Sequence, residues 1–184
     1  MERTPVHARK YGREFEESVS DILIHPYFQS LKAYVHHGKK RYEHSVYVAY
    51  NTYVMAKKCG LDAEAAGRGA LLHDFFFDRT PEQKKEFKKT QKGIKKITTM
   101  QGFSHPKTAA YNARKYFDID DKQADMIETH MFPLTACPPM SRVGWLLTLA
   151  DKLVAIREMT QTFCKSPIKT ITGQIRVQEG YSFA

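Results

Sequence analysis

The chain has 184 residues, of which 42% are hydrophobic and 12% aromatic. This is enough to bury the core of one domain, and no repeat or linker predicts a second, so residues 1–184 are expected to form a single domain. Three cysteines, far apart and without CxxC spacing, argue against a disulfide framework and a zinc ribbon. The net charge of +9 predicts an anionic partner such as a nucleotide, a phosphoester or nucleic acid. Because no secretory h-region or membrane-spanning run is visible, we expect a cytoplasmic protein without a membrane partner.

Apolar residues at helical spacing predict the first elements of the chain. A short helix and then a loop are expected over residues 31–37. Residues 42–58 are apolar nearly all round, which predicts a central helix, and Gly60 can end it in a left-handed conformation. Before these elements, four apolar residues mark one face of an amphipathic helix over residues 11–24: Phe15, Val19, Ile22 and Leu23.

A helix with a face of small residues leads to the most apolar short run of the sequence. Asp62 is its predicted N-cap, and the helix runs into the doublet formed by His73 and Asp74. Burying an unpaired carboxylate in such a run is costly, so Asp74 is expected to need a cation, a hydrogen-bond network or a metal. Another helix or a ligand can approach closely along the small residues on the His73 side: Ala66, Gly69 and Ala70.

Two segments differ in composition from the predicted helices. Residues 79–104 form a basic connecting segment, whose lysines favour a solvated helix face or a loop over a nucleic-acid groove. Residues 165–184 form a C-terminal tail rich in Thr, Gly, Gln and Ile, for which a short strand and an extended tail are both open. No stretch before the tail shows sustained alternation of polar and apolar residues, so the expected fold class is all-α.

Two predicted helices follow the basic segment. Pro106 is expected in the first turn of one of them, with His105 at its start. Asp120 and Gln123 predict a capped start for the next helix, which is expected to end near His130.

The last predicted helix starts near Ser141 and carries Asp151 on its apolar face. Taken alone, Asp151 could form a buried salt bridge to Lys152 or Arg157. Five residues make up the apolar stripe on which it falls: Val143, Leu146, Leu147, Ala150 and Val154.

Imidazole and carboxylate groups recur at the ends or on the apolar faces of successive predicted helices. Taken one at a time, each is more simply explained as a core or surface residue that binds no metal. Together they form a nitrogen and oxygen ligand set suited to zinc, iron or manganese, in which one carboxylate can bridge two ions. The set consists of His44, His73, Asp74, His105, His130 and Asp151.

The order of these residues resembles the HD superfamily of metal-dependent phosphohydrolases, which are all-α helical bundles. The resemblance covers residues 41–157, which would form the core of the domain. The GYP string that marks one nucleotide-signalling branch of the superfamily is missing. Small stand-alone HD proteins, including bacterial hydrolases of symmetrical dinucleoside polyphosphates, are similar in size and ligand order. Three strings carry the resemblance: Glu43-His44-Ser45, Leu71-Leu72-His73-Asp74 and Leu149-Ala150-Asp151-Lys152.

The resemblance implies a centre of one or two divalent ions, whose identity is left open among Fe, Mn, Zn, Co and Mg. Asp74 would bridge the two ions, and His105 and His130 would complete the second site. Such ions make hydroxide available near neutral pH and neutralise phosphate charge, which predicts hydrolysis of a nucleotide or a small phosphorylated metabolite. The first ion would be held by His44, His73, Asp74 and Asp151.

Further side chains near these ligands are candidates for catalytic work. Arg41, one turn before the first ligand, is a candidate phosphate clamp. Lys107 and Lys152 are candidates for similar work, although a solvated lysine is an equally good interpretation of each. Asp78 is expected to position a water, take a proton or cap the next segment. Asp74 would take part in catalysis as the carboxylate that bridges the two ions.

Two other functions are left open by the sequence. Some HD-fold proteins hold a mixed-valent di-iron centre and use oxygen to cleave a carbon bond of an inositol or a phosphonate. A non-catalytic module that binds nucleotides or nucleic acid would use the lysines of residues 84–96 as its contact surface, but the complete ligand set argues against it. The substrate and the oligomeric state stay open as well.

Overall fold

Helices account for nearly all regular structure in the computed structural model, which describes residues 6–36, 39–78, 81–90 and 101–163. The all-α prediction is therefore confirmed. A 3-10 turn over Ser30–Ala33 follows the third helix. The α-helices of the described residues are α1 (Val6–Ser18), α2 (Ser20–Ile24), α3 (Pro26–Gln29), α4 (Arg41–Lys58), α5 (Ala63–Leu71), α6 (Pro81–Thr90), α7 (Gln101–Tyr116), α8 (Asp121–Thr129) and α9 (Arg142–Phe163).

A two-residue antiparallel ladder leads into α4. Strand β1 (Val35–His36) pairs with β2 (Lys39–Lys40), with Val35 opposite Lys40. The short helix predicted over residues 31–37 is present as the 3-10 turn over Ser30–Ala33. A loop was predicted after it, and the ladder was missed because two residues per strand are too few to show alternation. The backbone N–H of Arg41 donates to the carbonyl of Tyr34 at 2.8 Å, which fixes where α4 begins.

Helix α4 is the centre of the described structure and packs against both α5 and α9. Its middle is buried on several sides, as the apolar pattern predicts. It ends before Gly60, whose φ of 65° lies in the left-handed region that favours glycine. Helix α5 then starts as expected, because the Asp62 carboxylate accepts the backbone N–H of Ala65 at 3.0 Å.

The helix predicted over residues 11–24 is divided in two. All four of its predicted core residues are buried, but Val19 separates α1 from α2 with a φ of −123°. The Ser18 hydroxyl donates to the carbonyl of Phe15 at 2.8 Å, at the point where α1 ends. Such local bonds from serine to the backbone compete with helix continuation.

The start of α7 was predicted wrongly. Pro106 lies inside this helix, which already begins at Gln101, and His105 is therefore a helical residue. A proline near a helix start removes only one intrahelical hydrogen bond, which the packed helix tolerates. The capping box of α8 is confirmed, because Asp120 and Gln123 exchange hydrogen bonds of 2.7 Å and 2.9 Å.

Helix α9 is apolar on two opposite sides. The predicted stripe faces the core, where Leu147, Ala150 and Val154 are buried. None of the helices in the described ranges is long and apolar enough to cross a bilayer. A second stripe on the outer side was not predicted, and its residues are each about half exposed: Trp145, Leu149, Leu153, Ile156 and Met159.

The segments of unusual composition are only partly described. Residues 81–90 of the basic segment form α6, which agrees with a solvated helix face for this part. Residues 91–100 and the tail over residues 165–184 lie outside the described residues, so the expectations for them stay predictions.

Candidate metal centre

Five helices bring the six predicted ligands to one place. Helix α4 supplies His44 from its first turns, α7 supplies His105, and α9 supplies Asp151. His73 and Asp74 follow the end of α5, and His130 follows the end of α8. All but Asp151 are buried.

The small-residue face of α5 explains how His73 and His130 come close to each other. A Cβ atom at Gly69 would lie 2.5 Å from the Met126 sulfur of α8, so any larger residue would force the Met126 side chain to shift. This approach of α5 to α8 places the His73 and His130 rings 5.0 Å apart, centroid to centroid. The predicted close contact along this face is therefore present, and it shapes the site.

At one end of the cluster, His44 and His73 converge on the Asp151 carboxylate. The Nε2 atom of His44 lies 3.2 Å from Asp151 Oδ1, and the Nε2 atom of His73 lies 3.7 Å from the same oxygen. These three side chains offer ligand atoms that all lie within 4.8 Å of one another. Their spacing is that of groups able to share one cation.

At the other end, His105 and His130 converge on Asp74. The Nε2 atom of His105 lies 3.2 Å from Asp74 Oδ1 and 3.2 Å from the Nε2 atom of His130. The second carboxylate oxygen, Asp74 Oδ2, lies 3.9 Å from His73 Nε2. The two oxygens of Asp74 therefore face different histidines, which is the arrangement that a bridging carboxylate requires.

The hydrogen bonds at Nδ1 of His73 and His130 leave the Nε2 atoms of these two rings without a proton. Nδ1 of His73 lies 2.7 Å from the carbonyl of Ala70, and Nδ1 of His130 lies 2.7 Å from the carbonyl of Ile127. Because a carbonyl only accepts, each Nδ1 carries the proton and each Nε2 presents a lone pair to the cluster. Nε2 of His73 is buried and has no hydrogen-bond partner in the described part of the chain. A cation fits this atom better than any protein donor nearby.

The protonation states of the cluster also suit metal binding. Burial raises the pKa of Asp74, but the neighbouring His73 and the hydrogen bond from His105 outweigh burial and hold that pKa well below its usual value. Burial, together with nearby His73, lowers the pKa of His130 to about 3. Asp74 is thus ionised and His130 neutral near pH 7, and these are the forms in which both groups bind metals.

His44 is held differently from the other histidines. Burial lowers its pKa, but hydrogen bonds with Asp151 and Glu158 outweigh burial and raise the pKa to about 10. The Nδ1 atom of His44 lies 2.9 Å from Glu158 Oε2. A metal ion binding at this end would compete with a proton on His44.

Glu158 is the residue of the site that sequence reasoning missed. Its carboxylate is buried although it lies near the C-terminal end of α9. The signal was available in the spacing, because Glu158 follows Asp151 by seven residues and so shares its helix face.

Arg41, the predicted phosphate clamp, points into the protein. Only 2% of this residue is exposed, and its guanidinium donates to the carbonyl of Phe76 and to the Asp78 carboxylate, each at 2.8 Å. The guanidinium carbon also lies 3.9 Å from the centre of the Phe76 ring, and the centre of the His105 ring lies 4.9 Å from that of Phe76. The contacts of Arg41 and Asp78 therefore support one wall of the cluster.

The two predicted lysines lie in different places. Nζ of Lys152 lies 3.4 Å from the carbonyl of His130 and 3.8 Å from Asp151 Oδ2, at the edge of the cluster. Lys107 is exposed on α7, and two residues past His105 it projects about 200° around the helix from that ligand. The structure thus brings Lys152, and not Lys107, to the ligands.

Comparison with known families agrees with this geometry. The family model described as HD domain matches residues 41–156, a span that contains all six residues of the cluster. Comparison with curated proteins and with solved structures gave no match.

Proposed function

Since the chain belongs to the HD domain family, we propose that it is a metal-dependent phosphohydrolase acting on a nucleotide or a small phosphorylated metabolite. The observation that carries this proposal is the buried Nε2 atom of His73, which lacks a hydrogen-bond partner among the described residues. It lies between two carboxylates, Asp74 and Asp151, at 3.9 Å and 3.7 Å. Such an arrangement is costly without a cation and well suited to one.

The residues of the cluster divide into two candidate sites that share Asp74. His105 and His130 would complete the second site, since their Nε2 atoms lie 3.2 Å and 4.0 Å from Asp74 Oδ1. When bound, divalent ions supply a water activated for attack and positive charge that offsets the charge on the phosphate. The first site would use His44, His73, Asp74 and Asp151.

The substrate would approach from the side of Asp151. The Asp151 side chain is 13% exposed, whereas the side chains of the other five ligands are 8% exposed or less. Lys152 lies at this edge with 38% of its side chain exposed. An anionic phosphate that reaches the cluster here would meet the Lys152 ammonium, and the net charge of +9 would favour its approach.

The roles proposed for the remaining candidates follow from their contacts. Arg41 would keep Phe76 against His105 and so orient that ligand, with Asp78 fixing the guanidinium from the other side. Asn112 adds a hydrogen bond of 3.1 Å to the carbonyl of Phe75, in the same loop. These groups would position the ligands and would not themselves touch the phosphate.

Phosphate release from a panel of substrates tests the proposal. The full chain would be loaded with Mn²⁺, Fe²⁺, Co²⁺, Zn²⁺ or Mg²⁺ and supplied with nucleotides, dinucleoside polyphosphates and sugar phosphates. We expect metal-dependent phosphate release that a chelator abolishes and that His73→Ala lowers at least about 100-fold, because that variant removes a ligand of the first site. Absence of phosphate release with every metal, or oxygen-dependent turnover by the iron-loaded protein, would overturn the proposal.

Lys152→Ala tests how the substrate is bound. A charge-assisted hydrogen bond to phosphate contributes about 1.5–3 kcal/mol, so we expect KM to rise at least about tenfold with a smaller change in kcat. Lys122→Ala, at an exposed position on α8, is the matched control and should leave KM unchanged. Equal KM values for the Lys152 variant and the unmodified protein would show that this lysine faces solvent and does not bind the substrate.

A further inference from the structure

Glu158 is a buried carboxylate whose position is explained by a histidine of the metal centre. Its side chain is 5% exposed, and Oε2 lies 2.9 Å from Nδ1 of His44. A carboxylate in such surroundings costs free energy unless it is paired and hydrogen-bonded. Its placement next to a candidate ligand therefore calls for a functional explanation.

Helix α9 contacts both nitrogens of the His44 ring. Asp151 Oδ1 lies 3.2 Å from Nε2, and Glu158, seven residues later on the same face, lies beside Nδ1. The ring cannot rotate or flip without breaking both contacts. With the Nδ1 proton donated to Glu158, Nε2 is left to share a cation with Asp151.

The other two histidines with resolved Nδ1 contacts have neutral partners. Nδ1 of His73 lies 2.7 Å from the backbone carbonyl of Ala70, and Nδ1 of His130 lies 2.7 Å from that of Ile127. A carboxylate increases the electron donation of an imidazole more than a carbonyl does, and it adds negative charge near the ion. Glu158 therefore makes the two ends of the centre unequal.

We infer that Glu158 is a positioning residue that makes the end formed by His44 and Asp151 the tighter of the two metal sites and the first to fill. The inference rests on the metal centre of the proposed function. The opposite end, at His105 and His130, shares Asp74, and there the Nδ1 atom of His130 faces the neutral carbonyl of Ile127.

Metal titration of Glu158→Gln tests the inference, because glutamine keeps the shape and removes the charge. We expect the tighter of two Mn²⁺ dissociation constants, measured by calorimetry, to rise about 10–100-fold while the weaker one stays unchanged. Glu158→Asp keeps the charge on a shorter side chain, so its tighter dissociation constant should lie between those of the unmodified protein and Glu158→Gln. Glu128→Gln, at an exposed position of α8, is the matched control and should behave as the unmodified protein.

A second measurement follows the ring of His44 directly. Histidine ¹H–¹⁵N correlation spectra should show a strongly hydrogen-bonded Nδ1 proton on His44 that shifts in the Glu158 variants, a change that lost packing alone would not produce. If Glu158→Gln fails to fold, the titration of Glu158→Asp carries the test.

The outcomes separate this inference from the proposed function. Two Mn²⁺ constants with the expected response to Glu158, in a protein that hydrolyses no phosphate ester, would uphold the inference and remove the proposed function. A folded Glu158→Gln with both constants unchanged, or with both weakened equally, would overturn the inference whatever the activity.

Discussion

Asp74→Asn is expected to release both metal ions and to lower kcat/KM at least about 10³-fold, or about 4 kcal/mol of transition-state stabilisation. The reason is the division of its two oxygens, because Oδ1 lies 3.2 Å from His105 Nε2 while Oδ2 faces His73 at 3.9 Å. Asparagine keeps the size of the side chain but loses the charge that both sites share. Metal content by elemental analysis after dialysis, together with kcat/KM, measures the effect.

His105→Ala is the informative comparison, because His105 belongs to only one end of the cluster. It should lose one ion and keep the other, whereas Asp74→Asn loses both. Asp118→Asn, which replaces an exposed carboxylate outside the cluster, should retain both ions. Metal content of Asp74→Asn equal to that of the unmodified protein, or equal to that of His105→Ala, would contradict a bridging role.

Arg41→Ala is expected to lower the free energy of unfolding by about 3 kcal/mol in the presence of a chelator. The substitution removes the donor that lies 2.8 Å from the Phe76 carbonyl and the guanidinium that is hydrogen-bonded to the Asp78 carboxylate. It also empties the space beside the Phe76 ring, where the guanidinium stacks at 3.9 Å. Urea denaturation followed by circular dichroism measures the loss.

Two further variants separate support of the fold from a phosphate clamp. Arg41→Lys keeps the charge but not the paired donors or the stacking, so it should recover only part of the stability. Asp78→Asn should cost less than Arg41→Ala, because the Asp78 side chain is 33% exposed and partly hydrated. If Arg41→Ala unfolds like the unmodified protein and only KM rises, the phosphate clamp predicted from the sequence is correct.

Features that depend on neighbours in the sequence could be predicted without the structure. The Asp62 cap, the α8 capping box and the left-handed Gly60 are each set within a few residues, since their hydrogen bonds or dihedral angles are local. The six candidate ligands were found for a different reason. Imidazoles and carboxylates on otherwise apolar helix faces conflict with burial, and that conflict is visible in the sequence as a need for a cation.

Features that depend on contacts between distant segments needed the tertiary structure. Arg41 lies one turn before His44 in α4, but the direction of its side chain is decided by Phe76 and Asp78, more than thirty positions away. Likewise, only the packing of α9 against α4 shows that Glu158 reaches His44, across 114 positions of the chain. The sequence by itself therefore determined which imidazoles and carboxylates lie on apolar helix faces and how two of the helices are capped. Which nitrogen or oxygen faces which partner was decided by helix packing, because a buried polar group takes its partner from whichever segment packs against it.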